Sequence, residues 1–389
     1  MDRKFDEKVA LCALNKAFGF EPRAGAALIR YAGGAAKVFG MDRDELRKAV
    51  GPNQKIMEAI SEASLDWAAD ELDKIGKMGA VFTGITEPGY PDLLKECEDP
   101  PIGLYSKSTT PIGEIFGTRQ AVGIVGTRDM SSYGEEWCSK IVYAMSRSSA
   151  KPLIVSGLAI GIDVTAHDTA LRSGLPTVAV MPTGIDTVYP FRHGWIADKI
   201  STAPGSALVT DYPTGTAPVA LNFLRRNRII AGLSDAVIVV ESKIKGGAMM
   251  TARLANSYDR PVYTLPGRVD DNRSQGCNVL LRDRIADTIT SPEDLVERLG
   301  MGHVGKIREQ DVEETISSTY TGREDSRTIA ILSRIAKTIR KNRGISMEGL
   351  CAQTGLDYGD ITLYTGMLEN DGIISMDLLR RCTYNTKIL

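Results

Sequence analysis

Residues 121–128 read Ala121-Val122-Gly123-Ile124-Val125-Gly126-Thr127-Arg128: an apolar, β-branched run that empties into a glycine turn. Ser131, Ser132, Tyr133 and Gly134 then lead into a helical pattern from Glu135. This is a strand handing over to a helix, the first half of a βα unit. Glycine in the turn lets the backbone approach a ligand closely, and the N–H groups at a helix start favour an anion. Arg128 adds a forked cation. The turn is not GxGxxG, and such glycines also serve strand-to-helix packing alone.

Outward from this unit, between Ala80 and Leu299, short β-branched runs alternate with amphipathic stretches. The predicted strands are 121–125, 153–156, 177–181, 236–241 and 262–265. Their alternation with helices predicts an α/β domain, extended and Rossmann-like, around a mainly parallel sheet. Ligands of such sheets sit beyond the carboxyl ends of the strands, so the loops there carry the candidates. After the second strand, Ser156 and Gly157 offer a hydroxyl and an amide to a phosphate. Asp163 and His167 follow one helical turn apart. That spacing suits acid–base chemistry, yet an Asp that caps a helix and hydrogen-bonds a His on the same face needs no substrate. The next loop brings Arg192 beside Tyr189 and Phe191, the mixture of rings and cation that suits single strands; rings there serve equally as rim packing.

The densest signal is Asn222-Phe223-Leu224-Arg225-Arg226-Asn227-Arg228. Three arginines in four positions beside an aromatic form a local basic patch in a chain whose net charge is -2. At helical spacing Arg225 and Arg228 share a face and Arg226 lies elsewhere, so one arginine can tie the helix to a carboxylate while another binds phosphate. Last, Lys245-Gly246-Gly247 precede a helical stretch carrying Thr251, another potential phosphate cradle.

The flanks differ in kind. Residues 1–78 are helical in periodicity and broken by glycines, the pattern of a small helix-hairpin-helix or SAM-like bundle. The domain with the strands spans 79–300. Residues 301–326 are polar and read as a linker. From 327 to 389 a helix, a helix-turn-helix with Ser346 and Asp357 as N-caps, and two short strands at 373–376 and 381–385 predict a winged helix. Its second helix carries Asp360 and Glu369 and no Lys or Arg, which points to a protein-interaction or structural role rather than groove reading.

The chain has 389 residues, 43% hydrophobic and 25% charged, as expected of a soluble globular protein. No apolar run is long enough to span a membrane, and the first residues are charged where a signal peptide is apolar, so a cytoplasmic location without membrane attachment is expected. The 6 cysteines are far apart and there are 3 histidines. No disulfide framework, metal site or cofactor is expected.

In their order, these motifs resemble the DNA-processing protein A family, known as DprA or Smf. The resemblance runs from Tyr90, Pro91, Leu94, Pro100, Leu104 and Tyr105 through Gly126-Thr127-Arg128, the SGLAIGID segment with Ala166 and His167, the GID and YP loop and the NFxxRNRIIAGLS segment, to Pro266, Gly267, Gly276 and Asn278. It implies a non-enzymatic homodimer that binds incoming single-stranded DNA in natural transformation, protects it and loads the RecA recombinase. The family's DNA contacts carry over onto Arg128, Ser156, Gly157, Phe223, Arg226 and Arg228. Gly126, Thr127, Arg192, Asn227, Lys245, Gly247 and Thr251 complete the candidate interface. The chain departs from the family at Gly246-Gly247-Ala248-Met249-Met250, where two hydroxyls are missing. Phe191 stands where a lysine is usual, with Arg192 one position along, and Cys277, Arg284 and Ile285 replace family residues.

The alternative is an enzyme of the related Rossmann-like phosphoribohydrolase type acting on a nucleotide. It needs a catalytic carboxylate close to the Gly246–Thr251 turn, and none follows Thr251 closely. A sequence-specific repressor is disfavoured by the acidic second helix of the winged unit.

Overall fold

A computed structural model describes residues 6–51, 54–117, 119–304, 312–342, 344–377 and 379–385. They form two compact units, Met1–His303 and Val304–Leu389.

In the first unit the described residues build a nine-stranded sheet. The strands are β1 (Ala80–Gly84), β2 (Gly103–Lys107), β3 (Ala121–Val125), β4 (Leu153–Ser156), β5 (Thr177–Val180), β6 (Ala207–Thr210), β7 (Ala236–Val239), β8 (Val262–Thr264) and β9 (Asp287–Thr288), in the order β1-β2-β6-β5-β4-β3-β7-β8-β9. All pairings from β6 to β9 are parallel, whereas β2 joins β6 antiparallel and β1 joins β2 antiparallel. The chain winds outward from β3 through β4 and β5 to β6, then returns to place β7 on the other side of β3, with Val125 opposite Val239. This reversal leaves a crevice beyond the carboxyl ends of β3 and β7, where open α/β sheets take their ligands. β3, β4, β5, β6 and β7 are buried along their whole length, as strands covered by helices on both faces must be.

The helices before residue 78 do not stand apart as the sequence suggests; they share the core of the sheet. Leu11, Cys12 and Leu14 on the helix Glu7–Ala17 are fully buried in the cluster that contains Phe82, Leu104 and Tyr105. Buried Asn15 on that helix donates to the Asp211 carbonyl at 2.9 Å and accepts from the Gly103 N–H at 3.0 Å, satisfying backbone groups beside β6 and in β2. Glu71 on the helix Leu65–Lys77 accepts from both the N–H and the hydroxyl of Thr214, each at 2.7 Å. Helical periodicity reports an apolar face but not what covers it, so the packing of this bundle against the sheet was not legible.

In the second unit, helices Ser326–Lys341, Met347–Thr354 and Tyr358–Asn370 pack with β10 (Ile345–Ser346), β11 (Ile374–Met376) and β12 (Arg381–Tyr384), antiparallel in the order β10-β12-β11. Ser346 and Asp357 cap their helices by accepting from Gly349 N–H and Asp360 N–H, and Gly355, at φ 68°, ends the first of them in the left-handed conformation that glycine favours. The linker expectation needs correction. Helix Val312–Tyr320 lies inside it, with Val312, Ile316 and Tyr320 buried beside Leu332, Ile335 and Ile339. Their four-residue spacing is a helical apolar stripe hidden among polar neighbours. Residues 305–311 of the expected linker lie outside the described residues.

Candidate anion-binding site at the sheet switch point

Three loops meet beyond β3, β4 and β7, held together by backbone contacts. The Thr127 N–H donates to the Glu241 carbonyl at 2.7 Å, and the Ile162 N–H donates to the Thr127 carbonyl at 3.3 Å. Buried Glu241 also receives the Ser131 N–H at 2.9 Å and the Ser131 hydroxyl. Ser131 is in turn the N-cap of the helix Ser132–Arg147, which therefore begins three residues before the expected Glu135. Burial raises the Glu241 pKa, and the Ser131 hydrogen bonds oppose that rise.

Between these loops and the helix Ala220–Gly232 lies a cavity of about 750 Å³. Of the candidate residues it brings together Gly126, Thr127, Arg128, Phe223, Arg226, Asn227, Lys245, Gly247 and Thr251. Asp163 and Tyr189 line it as well. Along one wall, the Arg128 guanidinium lies over the Phe223 ring at 4.8 Å, and Phe223 meets Tyr189 edge-on at 5.6 Å. One helical turn beyond Phe223, Asn227 donates to the Gly247 carbonyl at 3.3 Å, fixing the arginine helix to the start of the helix Gly247–Ser257. That helix opens on the cavity through Gly246 and Gly247, with Lys245 exposed beside them.

The floor is set by Arg226. Its side chain is buried, only 3% exposed, and its Nε has no hydrogen-bond partner among the described residues. Burial lowers its pKa to about 10, while the nearby Asp163 carboxylate pulls the other way. Burial likewise raises the Asp163 pKa, opposed by Arg226. A guanidinium taken out of water without a full set of acceptors is held at a cost that an incoming oxyanion would offset.

Four of the candidates lie elsewhere, each for a physical reason. Ser156 is fully buried and its hydroxyl donates to the Ile124 carbonyl at 2.6 Å, so it braces β3 against β4 and offers nothing to a ligand. Gly157 lies beneath Arg226: a Cβ there would be 2.6 Å from Nη2 and nearer still to Nη1 and Cζ. Its contribution is the seat of the guanidinium. Arg192 is exposed on the short 3-10 turn Phe191–His193, away from the cavity lining. Arg228 is a buried structural cation, paired with Asp211 at 2.6 Å and hydrogen-bonded to the Asp99 carbonyl. Arg225, on the same side, donates to the Gly19 carbonyl and stacks on Phe20 at 4.1 Å. Of the three clustered arginines, Arg226 is the one that lines the cavity.

Asp163 and His167 do not form the pair that their spacing suggests. Thr177 gives its hydroxyl proton to the Ile154 carbonyl at 2.8 Å and so accepts from His167 Nδ1 at 2.6 Å. His167 is fully buried and its pKa is lowered to about 3 by burial, so it is neutral. Among the described residues no group of three or more His, Cys, Asp or Glu side chains could hold a metal ion, and no helix is long and apolar enough to cross a membrane. Sequence reasoning missed Asp129 and Lys243, which also line the cavity; the two lysines at 243 and 245 beside paired glycines were the available signal.

Fold and cavity together define a Rossmann-like protein with a cavity at its topological switch point, lined by Arg128, Arg226, Lys243 and Lys245. Residues 81–300 match the family model described as DNA recombination-mediator protein A. The chain is 34% identical over 311 residues to Protein Smf of Synechocystis sp., spanning 75% of this chain and 77% of that protein. It is 34% identical over 212 residues to DNA processing protein DprA of Streptococcus pneumoniae, spanning 54% of this chain and 72% of that protein. The fold is similar to the X-ray structure of DNA processing protein A from Streptococcus pneumoniae, with a TM-score of 0.64 and 28% identity over 73% of this chain and 95% of the other. A structure of the Helicobacter pylori protein concerned with its single-stranded DNA binding mode has a TM-score of 0.50 and 27% identity over 57% of this chain and 97% of that one. This chain belongs to the DNA recombination-mediator protein A family.

Proposed function

We propose that the chain binds single-stranded DNA in the switch-point cavity, without catalysis, and delivers it to a RecA-type recombinase. The observation that carries the binding reading is Arg226, a buried cation facing the cavity with an unpartnered Nε, next to the Arg128–Phe223–Tyr189 wall. The guanidinium suits a backbone phosphate, and the ring wall suits a base. Arg128 and Lys245 extend the positive surface, and the backbone at Gly246 and Gly247 admits close approach of an anion. The Helicobacter pylori relative is described by its single-strand binding mode, which fits this reading.

The non-catalytic reading is supported by the turning of His167 away from Asp163 and toward Thr177. Action as a cytoplasmic homodimer in natural transformation, and a winged-helix role for residues 327–389 in protein contact, complete the proposal. The acidic, lysine- and arginine-free helix Tyr358–Asn370 supports that last role, since Tyr358 and Leu363 stand exposed on it. Fluorescence anisotropy with labelled single- and double-stranded oligonucleotides across a salt series tests the core of it. Single-strand preference, steep salt dependence and loss of binding in Arg226→Ala are expected; equal binding of both forms, or an Arg226→Ala protein that binds as wild type, would remove it. The recombinase step is tested by RecA filament assembly on DNA precoated with a single-strand binding protein.

A further inference from the structure

The lip of the cavity carries an arrangement that its floor does not require. Asp129, next in sequence to Arg128, holds two cations from different loops: Lys243 Nζ at 3.4 Å and Arg273 Nε at 3.5 Å. Arg273 reaches the lip because its loop lies directly on the backbone after β7. The Gly276 N–H donates to the Ser242 carbonyl at 2.8 Å, and a Cβ at 276 would be 2.6 Å from the Ser242 oxygen and 2.7 Å from that of Lys243. Only glycine permits that approach.

The three charged side chains are wet, with Asp129 61%, Lys243 54% and Arg273 44% exposed. Ion pairs in such surroundings add little to stability. A cluster that contributes little to the fold and joins two loops on the edge of an anion cavity has the form of a site occupied by its own surrogate. A carboxylate and a phosphate offer similar oxygens to Lys and Arg, and one can replace the other. The charges lining the cavity agree: Arg128, Arg226, Lys243 and Lys245 face two carboxylates, Asp163 close to Arg226 on the floor and Asp129 at the lip.

We propose that Lys243 and Arg273 form a second phosphate subsite, over which the DNA strand leaves the cavity, and that Asp129 occupies the place of that phosphate in the free protein. The inference rests on the single-strand reading of the cavity and adds the path of the strand. On binding, the phosphate takes both cations and Asp129 turns to solvent. Asp129 thereby keeps the two loops in register before DNA arrives and weakens binding of ligands too short to reach the lip less than that of long ones.

The test uses the full chain, a labelled oligo(dT) of about 20 nucleotides and a thymidine dinucleotide, titrated across a salt series. On the long strand, Lys243→Ala/Arg273→Ala is expected to bind about tenfold more weakly. The slope of log K against log salt should fall by roughly 0.7, the value of one phosphate contact on a single strand. Asp129→Asn is expected to tighten binding severalfold, and this gain should vanish in the Lys243→Ala/Arg273→Ala background. The dinucleotide, seated on the floor, should respond to Arg226→Ala and to neither lip variant. A gain from Asp129→Asn that persists without the two cations would show simple repulsion and overturn the subsite. Lip variants that bind as wild type while Arg226→Ala fails would overturn it too and leave the cavity reading intact. Failure of the unaltered protein to bind either ligand would overturn both.

Discussion

Replacing Gly157 by alanine separates the cavity reading from its alternatives, because the change touches no ligand and alters no charge. The backbone at 157 lies outside the left-handed region, so alanine introduces no strain there. The added Cβ would lie 2.6 Å from Nη2 of Arg226 and nearer to Nη1 and Cζ. Ordinary contact distances then require the guanidinium to retreat by roughly 2 Å. Arg226 is a flexible side chain in a buried slot, so the fold is expected to survive at a cost of about 1–3 kcal/mol from overpacking. A charge-assisted hydrogen bond does not survive a displacement of that size, and losing one removes about 1.5–3 kcal/mol. Affinity for a single strand should drop roughly 10- to 150-fold, measured by anisotropy at fixed salt with thermal melting as the check on folding. Arg226→Ala should lose a similar amount, and the double variant should lose no more than the worse single one, because both act on one group. A folded Gly157→Ala protein that binds as wild type, or losses that add in the double variant, would refute the assignment of Arg226 to the floor.

Other outcomes follow from the same geometry. Arg228→Ala strands the buried Asp211 carboxylate and should cost about 3–5 kcal/mol of stability in urea unfolding, while the salt slope of DNA binding stays unchanged; a reduced slope in a stable variant would restore Arg228 as a phosphate contact. Phe223→Ala removes the middle of the Arg128–Phe223–Tyr189 wall and should weaken single-strand binding by about 1–3 kcal/mol with little change in salt slope, which a titration against Phe223→Leu checks. His167 has its folded pKa lowered to about 3 against 6.5, so its contribution to stability is fully present above pH 6.5 and is lost as pH falls toward 3. The slope over that window is about 1.36 kcal/mol per pH unit. The raised pKa of Asp163 acts with opposite sign there, so the measurement is the difference in urea stability between wild type and His167→Gln from pH 7 to 4; a difference that does not vary with pH would contradict a neutral buried histidine.

Much of the sheet was legible because β-branched runs ending in glycine report a buried parallel strand directly. Strands β3 and β4 stand where the sequence put them, and β5, β7 and β8 end one or two residues early. β6 (Ala207–Thr210) was missed although it is as long and as buried as β4, and β1 and β2 owe their place to antiparallel pairing that no local pattern encodes. At the site, glycine turns and clustered arginines marked the right loops. The division of labour among the arginines was not legible in full: helical spacing separated Arg226 from Arg225 and Arg228, but their partners Asp211, Asp99 and Gly19 are distant in sequence. Ser156 misled for the same reason, since its partner Ile124 sits on the neighbouring strand.

The pairing of β3 with β7 has a consequence for how the protein comes into being. Val125 and Val239 are adjacent in space, yet they stand 114 positions apart in the chain, and the loops that follow these strands line one cavity together. A ribosome that has released only the first strands has released no half-formed binding site, because β3 has no neighbour on that flank until β7 emerges. Contacts of such long sequence separation form late. Competence to hold nucleic acid therefore arrives in a single step near the end of synthesis of this unit, and nascent chains arrested before residue 236 should be inert toward DNA in a pull-down of stalled complexes, whereas chains released past Thr251 and the end of its helix should not.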